Sequence, residues 1–305
     1  MKILVFTEKP FAPAAVKAIE NTVNASGNEL EVVEGGTRAD LLEAVKNANG
    51  LIVRSDKIDG DVMDAAPNLK VIVRAGAGYD NIDLAAATAH GICVMNTPGQ
   101  NSNAVAELVF GMMVMMCRNQ YNGKSGTELK EKSLGIYAFG QVGRNVARIA
   151  KGFGMNVSAL DPYCPAEVMA AADVTRVESV EDLYKNNKVV SLHIPATDET
   201  RKSVGFDLVT LLPKGGLLIN TARKEVIDEE GLCKALRERP DLKYVADVRP
   251  DNAEAMETEF AGRVFFTPKK MGAQTSEANI NAGIAAANQV VAFLRDGVDR
   301  FRVNK

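Results

Sequence analysis

The sequence has few of the residues that metal sites and disulfide frameworks need, and no run long enough to span a membrane. It contains four cysteines, scattered and without a Cys-x-x-Cys pair, and only two histidines in 305 residues. We therefore expect no metal site, no disulfide framework and a reducing compartment, the cytoplasm. The longest apolar run, 108–117, has ten residues, about half of what a bilayer span requires. We expect no membrane association.

Positive and negative side chains are nearly balanced in number. The chain has 36 Lys and Arg residues against 39 Asp and Glu, which gives a net charge of −3. That balance leaves no basic surface for nucleic acid or an anionic membrane, so an anionic ligand must be held by local Arg or Lys side chains. Hydrophobic residues make up 46% of the chain, which is ample for the cores of two domains of ordinary size.

Short apolar runs alternate with helix-periodic stretches along the chain. The alternation predicts the α/β class, with two doubly wound, Rossmann-like domains, each built on a parallel sheet covered by helices on both faces. Thr37 is expected to cap a helix over 37–48. The last helix carries an apolar stripe that needs a sheet or another helix to pack on, at Ile280, Ile284, Ala287, Val291 and Leu294.

The stretch 134–162 has the strongest local motif. An apolar run meets Gly140, a helix-periodic stretch follows, and a second apolar run ends at Asp161, 21 residues after Gly140. Strand, tight turn, helix and acid at this spacing are typical of a dinucleotide site, in which the helix N-terminus receives the pyrophosphate. The candidate cofactor residues here are Ala138, Phe139, Gly140, Gln141, Val142, Gly143 and Asp161.

Each residue of this motif has an expected task. Gly140 lets the pyrophosphate approach the backbone, and Gly143 lets helix and strand pack closely. Asp161 accepts hydrogen bonds from the adenosine ribose and repels a ribose phosphate, which favours NAD over NADP. The first glycine of the fingerprint is replaced by Ala138, whose methyl must fit where a tight turn usually tolerates no side chain. The alternative to a cofactor site is a merely structural turn.

Four further segments carry a family resemblance. They are 74–83 (RAGAGYDNID), 96–107 (NTPGQNSNAVAE), 191–197 (SLHIPAT) and 219–228 (INTARKEVID). With the glycine turn, the chain resembles the D-isomer-specific 2-hydroxyacid dehydrogenases over nearly its whole length. The resemblance implies a discontinuous substrate-binding domain, residues 1–97 plus 279–305, and an NAD-binding domain, residues 98–278, with the active site in a cleft between them. It also implies a homodimer.

Within that family the chain looks like the short D-3-phosphoglycerate dehydrogenases. Arg54, Ser55 and Asn101 match the phosphate contacts, and the backbone of Ala77 and Gly78 matches the carboxylate cradle. An arginine offers phosphate a planar fork of donors. The implied substrate is a small anionic phosphorylated 2-hydroxy acid, and the implied reaction is the NAD-dependent oxidation of D-3-phosphoglycerate in serine biosynthesis. The alternative reading of Arg54 is a side chain that only caps a strand end in solvent.

The resemblance also implies the residues of the redox chemistry. Arg223 matches the arginine that binds the substrate carboxylate and polarises the carbonyl, and Asp247 matches the acid near the nicotinamide amide. His193 matches a strand-end residue near the cofactor, away from the proton-transfer position. The further cofactor residues that the resemblance implies are His193, Pro195, Thr200, Thr221, Ala222, Arg223 and Asp247.

The proton acceptor departs from the family pattern, because the usual Pro-His-Ile-Gly is Pro-Lys-Lys-Met-Gly here. Counting back from Gly272 puts Lys270 at the histidine position, and counting forward from Pro268 puts Lys269 there. Lys270 is preferred because the match continues beyond Gly272. A lysine base needs its pKa lowered from about 10.4, which desolvation in a closed cleft and the charge of Arg223 would favour.

Two other functions stay open at this point. One is a different 2-hydroxyacid dehydrogenase, such as a glyoxylate or hydroxypyruvate reductase, which would not need Arg54, Ser55 and Asn101 together. The other is a noncatalytic NAD-binding protein that interacts with partners, which the absent histidine and Ala138 both suggest.

Overall fold

The computed structural model describes residues 1–304, which form two compact units. One unit comprises Met1–Asn101 and the chain from Gln274 onward, and the other comprises Ser102–Ala273. We refer to them as the split unit and the continuous unit. Their boundaries lie four and five residues from the expected 97/98 and 278/279. The tasks of substrate and cofactor binding assigned to the two parts of the chain stay predictions.

Strands and helices alternate as the sequence predicts. In chain order the elements are β1 (Lys2–Thr7), α1 (Pro13–Ala25), β2 (Glu29–Glu34), α2 (Arg38–Ala44), β3 (Gly50–Val53), α3 (Gly60–Asp64), β4 (Val71–Arg74), α4 (Leu84–Ala89), β5 (Cys93–Asn96), α5 (Ser102–Cys117), β6 (Ser133–Tyr137), α6 (Gln141–Gly152), β7 (Asn156–Leu160), α7 (Ala166–Ala171), β8 (Thr175–Arg176), α8 (Val180–Asn186), β9 (Val189–Leu192), α9 (Phe206–Val209), β10 (Leu217–Asn220), α10 (Glu229–Glu238), β11 (Lys243–Ala246), α11 (Ala253–Glu259), β12 (Val264–Phe266) and α12 (Ser276–Asp296). Short 3₁₀ turns lie at Val45–Asn47, Asn119–Tyr121 and Lys224–Val226.

The split unit is built on a five-stranded sheet of order β2-β1-β3-β4-β5, with every neighbouring pair parallel. Side chains of a strand point alternately to its two faces. In β1, Leu4 and Phe6 enter one buried cluster and Ile3 and Val5 enter the other. Both faces of the sheet are therefore covered, as a parallel sheet requires.

Helix α12 covers one face of this sheet with most of the predicted stripe and with small side chains that the sequence analysis did not single out. Of the predicted stripe only Ala287 is fully buried. The buried residues are mainly small ones, at Ala278, Ala282, Gly283, Ala286, Ala287 and Val290. Small side chains let the helix approach α1 and the sheet closely, and a Cβ at Gly50 would lie 2.6 Å from Val290. The predicted stripe is confirmed at Ile280, Ala287, Val291 and Leu294, which belong to the buried cluster on this face or pack against it, whereas Ile284 does not.

The continuous unit is built on a seven-stranded parallel sheet of order β12-β11-β10-β9-β6-β7-β8. The chain starts at β6 in the middle, runs outward through β7 and β8, and then returns to β9 on the other side of β6. Doubly wound sheets bind ligands at the carboxyl ends of their strands, at such a reversal. The two parallel sheets with their flanking helices confirm the predicted fold class.

Two further observations concern the whole described chain. None of the helices within residues 1–304 is both long and apolar enough to cross a bilayer. Over the same residues, no group of three or more His, Cys, Asp or Glu side chains is arranged to hold a metal ion. The cysteines are free thiols, with Cys93, Cys164 and Cys233 buried and Cys117 half-buried.

Candidate active site

The glycine turn follows the carboxyl end of β6. Ala138 has φ +78°, a left-handed conformation that L residues adopt at a cost, so the position is one where glycine would ordinarily stand. A Cβ at Gly143 would overlap the carbonyl oxygen of Ala138, because α6 crosses close to the turn. Gly140 is different, since a Cβ there would meet nothing within 4 Å. The open space beside Gly140 fits a ligand that approaches the backbone.

The peptide units of this turn are fixed from two sides. Asp161, just past β7, accepts a hydrogen bond from Phe139 N at 2.8 Å, and its other carboxylate oxygen accepts one from Tyr163 N at 2.9 Å. Arg144 donates from Nε to Phe139 O at 3.1 Å, and its guanidinium lies 5.9 Å from the Phe139 ring centroid. The acid expected at the ribose therefore also holds the turn. A ribose contact stays a prediction.

Helix α6 presents its N-terminus next to the open space. Its N-cap is Gly140, which has no side chain to bond the first N–H groups. Within residues 1–304, the N–H groups of Gln141, Val142 and Gly143 find no acceptor. Unpaired N–H groups and the positive end of the helix dipole attract an anion. The residues present thus fit the pyrophosphate of a dinucleotide.

The carboxyl end of β9 carries the predicted His193–Thr200 segment. His193 Nε2 lies 3.0 Å from Ser191 Oγ, and burial lowers the pKa of His193 to about 3. The imidazole is therefore neutral near pH 7. Thr200 donates from Oγ1 to Pro195 O at 2.6 Å and so closes the loop between them.

The loop after β10 fixes Arg223 through a residue that the sequence analysis missed. Asn220 is buried, its Oδ1 accepts from Ala222 N at 2.9 Å, and its Nδ2 donates to Arg223 O at 2.9 Å. Arg223 is half-buried and donates from Nη1 to Ala222 O at 3.0 Å. Thr221 is buried too, and its hydroxyl has no hydrogen-bond partner within residues 1–304. This hydroxyl is available to a ligand.

Asp247, just past β11, has a task beyond the predicted one. Its carboxylate is 1% exposed and accepts from Thr267 Oγ1 at 2.9 Å, Met271 N at 2.6 Å and Gly272 N at 2.8 Å. These donors flank Lys269 and Lys270. Asp247 therefore holds both ends of the segment that carries the candidate proton acceptors. We call residues 267–272 the lysine segment.

Lys269 and Lys270 themselves are exposed, as are the side chains of Pro268 and Met271 next to them. The closed cleft that the sequence analysis invokes around a lysine base stays a prediction, because both side chains are accessible here.

In the split unit the predicted substrate residues follow the carboxyl ends of β3, β4 and β5. Arg54 is half-buried, and burial lowers its pKa. Its Nη1 donates to Pro10 O at 2.8 Å and Lys9 O at 3.3 Å, and its Nη2 donates to Asn279 Oδ1 at 2.7 Å. The guanidinium lies 5.1 Å from the Phe11 ring centroid. Arg54 is thus a fixed side chain and not a strand cap in solvent.

The other predicted substrate residues are more accessible. Ser55 and Ala77 are exposed, and Gly78 and Asn101 are half-buried. Ala77 O accepts from Asn96 Nδ2 at 2.6 Å, whereas the N–H groups of Ala77 and Gly78 meet no acceptor within residues 1–304. Two unpaired backbone donors at strand ends suit a carboxylate.

Comparison with known proteins identifies the family of this chain. A family model described as D-isomer specific 2-hydroxyacid dehydrogenase, catalytic domain, matches residues 3–304. The chain belongs to this family. The resemblance described above implies an acid five residues after Asp247 as the partner of the family's histidine, and Asn252 stands at that position.

The D-3-phosphoglycerate dehydrogenase of Methanocaldococcus jannaschii is 38% identical over 312 residues, covering 97% of this chain and 58% of that protein. The hydroxypyruvate reductase of Thermotoga maritima is 33% identical over 281 residues, covering 86% of this chain and 90% of that protein. Among solved structures, the NAD⁺-bound 3-phosphoglycerate dehydrogenase of Entamoeba histolytica has a TM-score of 0.90 and 48% identity, covering 100% of this chain and 99% of that one. The chain spans 56–59% of the length of three curated D-3-phosphoglycerate dehydrogenases that it matches.

Neither residue near the position of the family's acid is arranged as the partner of a base. Asp251 is exposed and pairs with Lys224 at 2.5 Å. Asn252 donates from Nδ2 to Cys233 Sγ at 3.4 Å, and its N–H donates to Glu229 at 3.1 Å.

Proposed function

We propose that this 2-hydroxyacid dehydrogenase binds NAD at the glycine turn and oxidises D-3-phosphoglycerate to 3-phosphohydroxypyruvate, the first step of serine biosynthesis. The observation that carries the substrate assignment is the state of Arg54. Its guanidinium donates to three neutral oxygens, and although Asp56 and Glu34 act on its charge from nearby, no carboxylate within residues 1–304 forms an ion pair with it. A half-buried guanidinium without a carboxylate in contact suits a phosphate, which it can bind through charge-assisted hydrogen bonds.

The oxidation removes a hydride from C2 and a proton from the C2 hydroxyl. NAD, when bound, supplies the hydride acceptor. Arg223 binds the carboxylate and stabilises negative charge on the C2 oxygen, and Ala77 and Gly78 donate backbone N–H groups to the carboxylate. Lys270 accepts the hydroxyl proton. Asp247 holds the lysine segment in one conformation, so that the acceptor is positioned before substrate arrives.

The proposal is tested by NADH formation at saturating NAD, with D-3-phosphoglycerate and with unphosphorylated D-glycerate as substrates. Arg54→Ala is expected to raise KM for D-3-phosphoglycerate roughly 10- to 100-fold, because it removes a charged hydrogen-bonding group. The same change is expected to leave kcat/KM for D-glycerate nearly unaltered. Equal loss on both substrates, or no loss, contradicts the phosphate assignment.

The proton acceptor is tested with two neighbouring variants. Lys270→Ala is expected to lower kcat by about 100-fold or more, since general base catalysis contributes on the order of 10²–10⁴. Lys269→Ala is the matched control, because it removes the same charge from the adjacent exposed position. NAD binding should be unchanged in both. A reversed order of effects assigns the proton transfer to Lys269.

A second candidate function has one observation in its favour, the similarity to a hydroxypyruvate reductase. It predicts faster turnover of unphosphorylated hydroxypyruvate with NADH than of the phosphorylated keto acid. A noncatalytic NAD-binding function predicts cofactor binding without turnover of any substrate.

We also propose a homodimer, which light scattering tests by a mass of twice the chain. The expected cytoplasmic location stays a prediction.

A further inference from the structure

One amide in the first turn of α12 orients the guanidinium of Arg54. Asn279 Oδ1 accepts from Arg54 Nη2 at 2.7 Å, and Asn279 Nδ2 donates to Thr275 O at 2.8 Å. Because the second bond uses the amide nitrogen, the oxygen must face Arg54. The reversed amide would set two donors against each other and two carbonyl oxygens together. The side chain of Asn279 is therefore fixed at both ends.

The turn that carries Asn279 is itself well defined. Thr275 caps α12, and its side chain accepts from Ala278 N at 3.1 Å. Asn279 N donates to Thr275 O at 3.1 Å, the carbonyl that also accepts from the Asn279 side chain. The position of the amide oxygen thus follows from the helix N-terminus, and Arg54 meets an acceptor that is already in place.

Asn279 supplies the only side-chain acceptor that the Arg54 guanidinium meets within residues 1–304, and it carries no charge. A guanidinium has five N–H donors. Three hydrogen bonds, two from Nη1 and one from Nη2, leave at least two donors without an acceptor in the described chain. A carboxylate at this place would also accept from Arg54, but it would lack the bond to Thr275 O and would neutralise the guanidinium, so that an anionic ligand would have to displace it.

We propose that Asn279 is a positioning residue that sets the selectivity of the site for phosphorylated over unphosphorylated 2-hydroxy acids. It does so by holding the Arg54 guanidinium in one direction without placing a carboxylate against it. This inference rests on the proposed function, in which Arg54 binds the substrate phosphate.

The test measures kcat and KM for D-3-phosphoglycerate and D-glycerate in Asn279→Ala and Asn279→Asp. The readout is the ratio of kcat/KM for the two substrates. In Asn279→Ala, which frees Nη2, the ratio is expected to fall about tenfold, the effect of one hydrogen bond to a charged group. In Asn279→Asp it is expected to fall further, because the new carboxylate competes with phosphate. In both variants the loss appears in KM, with kcat unchanged.

Asn281→Ala is the matched control, an asparagine on an exposed position of the same helix, and it should leave the ratio unaltered. Asn279→Asp keeps the size of the side chain and places an acid near a helix N-terminus, where it is favourable. It therefore keeps the test decisive if Asn279→Ala unfolds.

The outcomes separate the two proposals. If Arg54→Ala lowers the ratio but both Asn279 variants leave it unchanged, the positioning role is wrong and the phosphate assignment stands. Equal losses on both substrates would show a merely structural role. If Arg54→Ala itself leaves the ratio unchanged, the proposed function fails, and the role of Asn279 fails with it.

Discussion

Two glycines of the turn after β6 look alike in the sequence and differ in what they do. Gly140 has ordinary backbone dihedrals and open space where a side chain would be, so its lack of a Cβ serves a ligand. Gly143 faces the carbonyl oxygen of Ala138, so its lack of a Cβ serves the packing of α6 on β6. Stability and cofactor affinity should therefore respond separately to the two positions.

Gly140→Ala is expected to change the free energy of unfolding by less than about 0.5 kcal/mol and to weaken NAD binding at least tenfold, because the methyl fills the space beside the backbone. Gly143→Ala is expected to cost about 1–3 kcal/mol of stability, since α6 must move away from the strand. Urea unfolding and calorimetric titration with NAD measure the two effects. A large loss of stability in Gly140→Ala would contradict the assignment of the space beside Gly140 to a ligand.

His90, at the C-terminus of α4, makes stability depend on pH. Its ring bonds the Ala86 carbonyl and the Asp64 carboxylate, each at 2.8 Å, and these bonds raise its pKa. Because the pKa of His90 is higher in the folded protein than in the unfolded chain, protonation of the ring adds to the free energy of unfolding. This contribution is complete at pH values below the unfolded-state pKa of about 6.5, and it is lost as the pH rises through the folded-state pKa.

The difference in unfolding free energy between wild type and His90→Gln should accordingly be larger at pH 5.5 than at pH 8.5. Urea unfolding at the two pH values measures it. Asp64→Asn should reduce the same difference, because it removes the charged partner. A difference that grows with pH would mean that the neutral ring is the form preferred in the folded state.

Among elements, the lysine segment after β12 depends on a buried carboxylate. Asp247 accepts the N–H groups of Met271 and Gly272 on different oxygens. Asp247→Asn would therefore set an NH₂ group against one of these donors, at a cost of roughly 1–3 kcal/mol.

We expect Asp247→Asn to lower kcat and to speed hydrogen exchange at Met271 and Gly272. Asp251→Asn is the matched control, because Asp251 lies in an exposed ion pair with Lys224, a kind of contact that contributes little to stability. Unchanged exchange in Asp247→Asn would show that the segment is held by other contacts.

The edge strand β5 is covered by the last residues of the described chain. Asn304 is 3% exposed, accepts from Val94 N at 2.8 Å and donates to Ile92 O at 2.8 Å. Val303 N donates to Val94 O at 2.8 Å. The segment thus occupies groups of an edge that could otherwise pair with another chain.

Asn304→Ala is expected to lower the free energy of unfolding by roughly 1–3 kcal/mol, because it leaves a buried donor and a buried acceptor unpaired. Thr88→Ala, which removes a single partner of Asn304 at 3.1 Å, should cost less. Thermal and urea unfolding check both. Equal costs would mean that the contact with Thr88 dominates.

At the scale of the whole molecule, each unit has its own sheet and its own buried clusters. A ligand stabilises the part of a protein that binds it, by about 2.7 kcal/mol at 100 times its Kd. NAD is expected to slow hydrogen exchange in β6 and α6 much more than in β3 and β4. Inorganic phosphate is expected to protect the segment around Arg54 instead. Exchange mass spectrometry distinguishes these patterns, and uniform protection by NAD would contradict them.

The sequence predicted what local patterns determine. The helix after Thr37 begins where expected, with a reciprocal capping box to Asp40, and the β6–α6 turn lies at the predicted residues. The missed features join residues far apart in the chain. Arg54 and Asn279 are 225 residues apart, and Val94 and Asn304 are 210 apart. No periodicity or turn signal encodes such pairs, and the small buried face of α12 likewise depends on what it packs against.

The order of synthesis gives the split unit a particular problem. The continuous unit, Ser102–Ala273, is complete once residue 273 has left the ribosome, whereas the sheet of the split unit waits for α12, whose Val290 packs at Gly50. Until then the apolar face formed by Ile3, Val5 and Ile52 lacks that helix. Exposed apolar surface of this kind invites aggregation. The strands that are synthesised first are thus the last to be covered by their helix. We expect chaperones to bind mainly to these strands during translation.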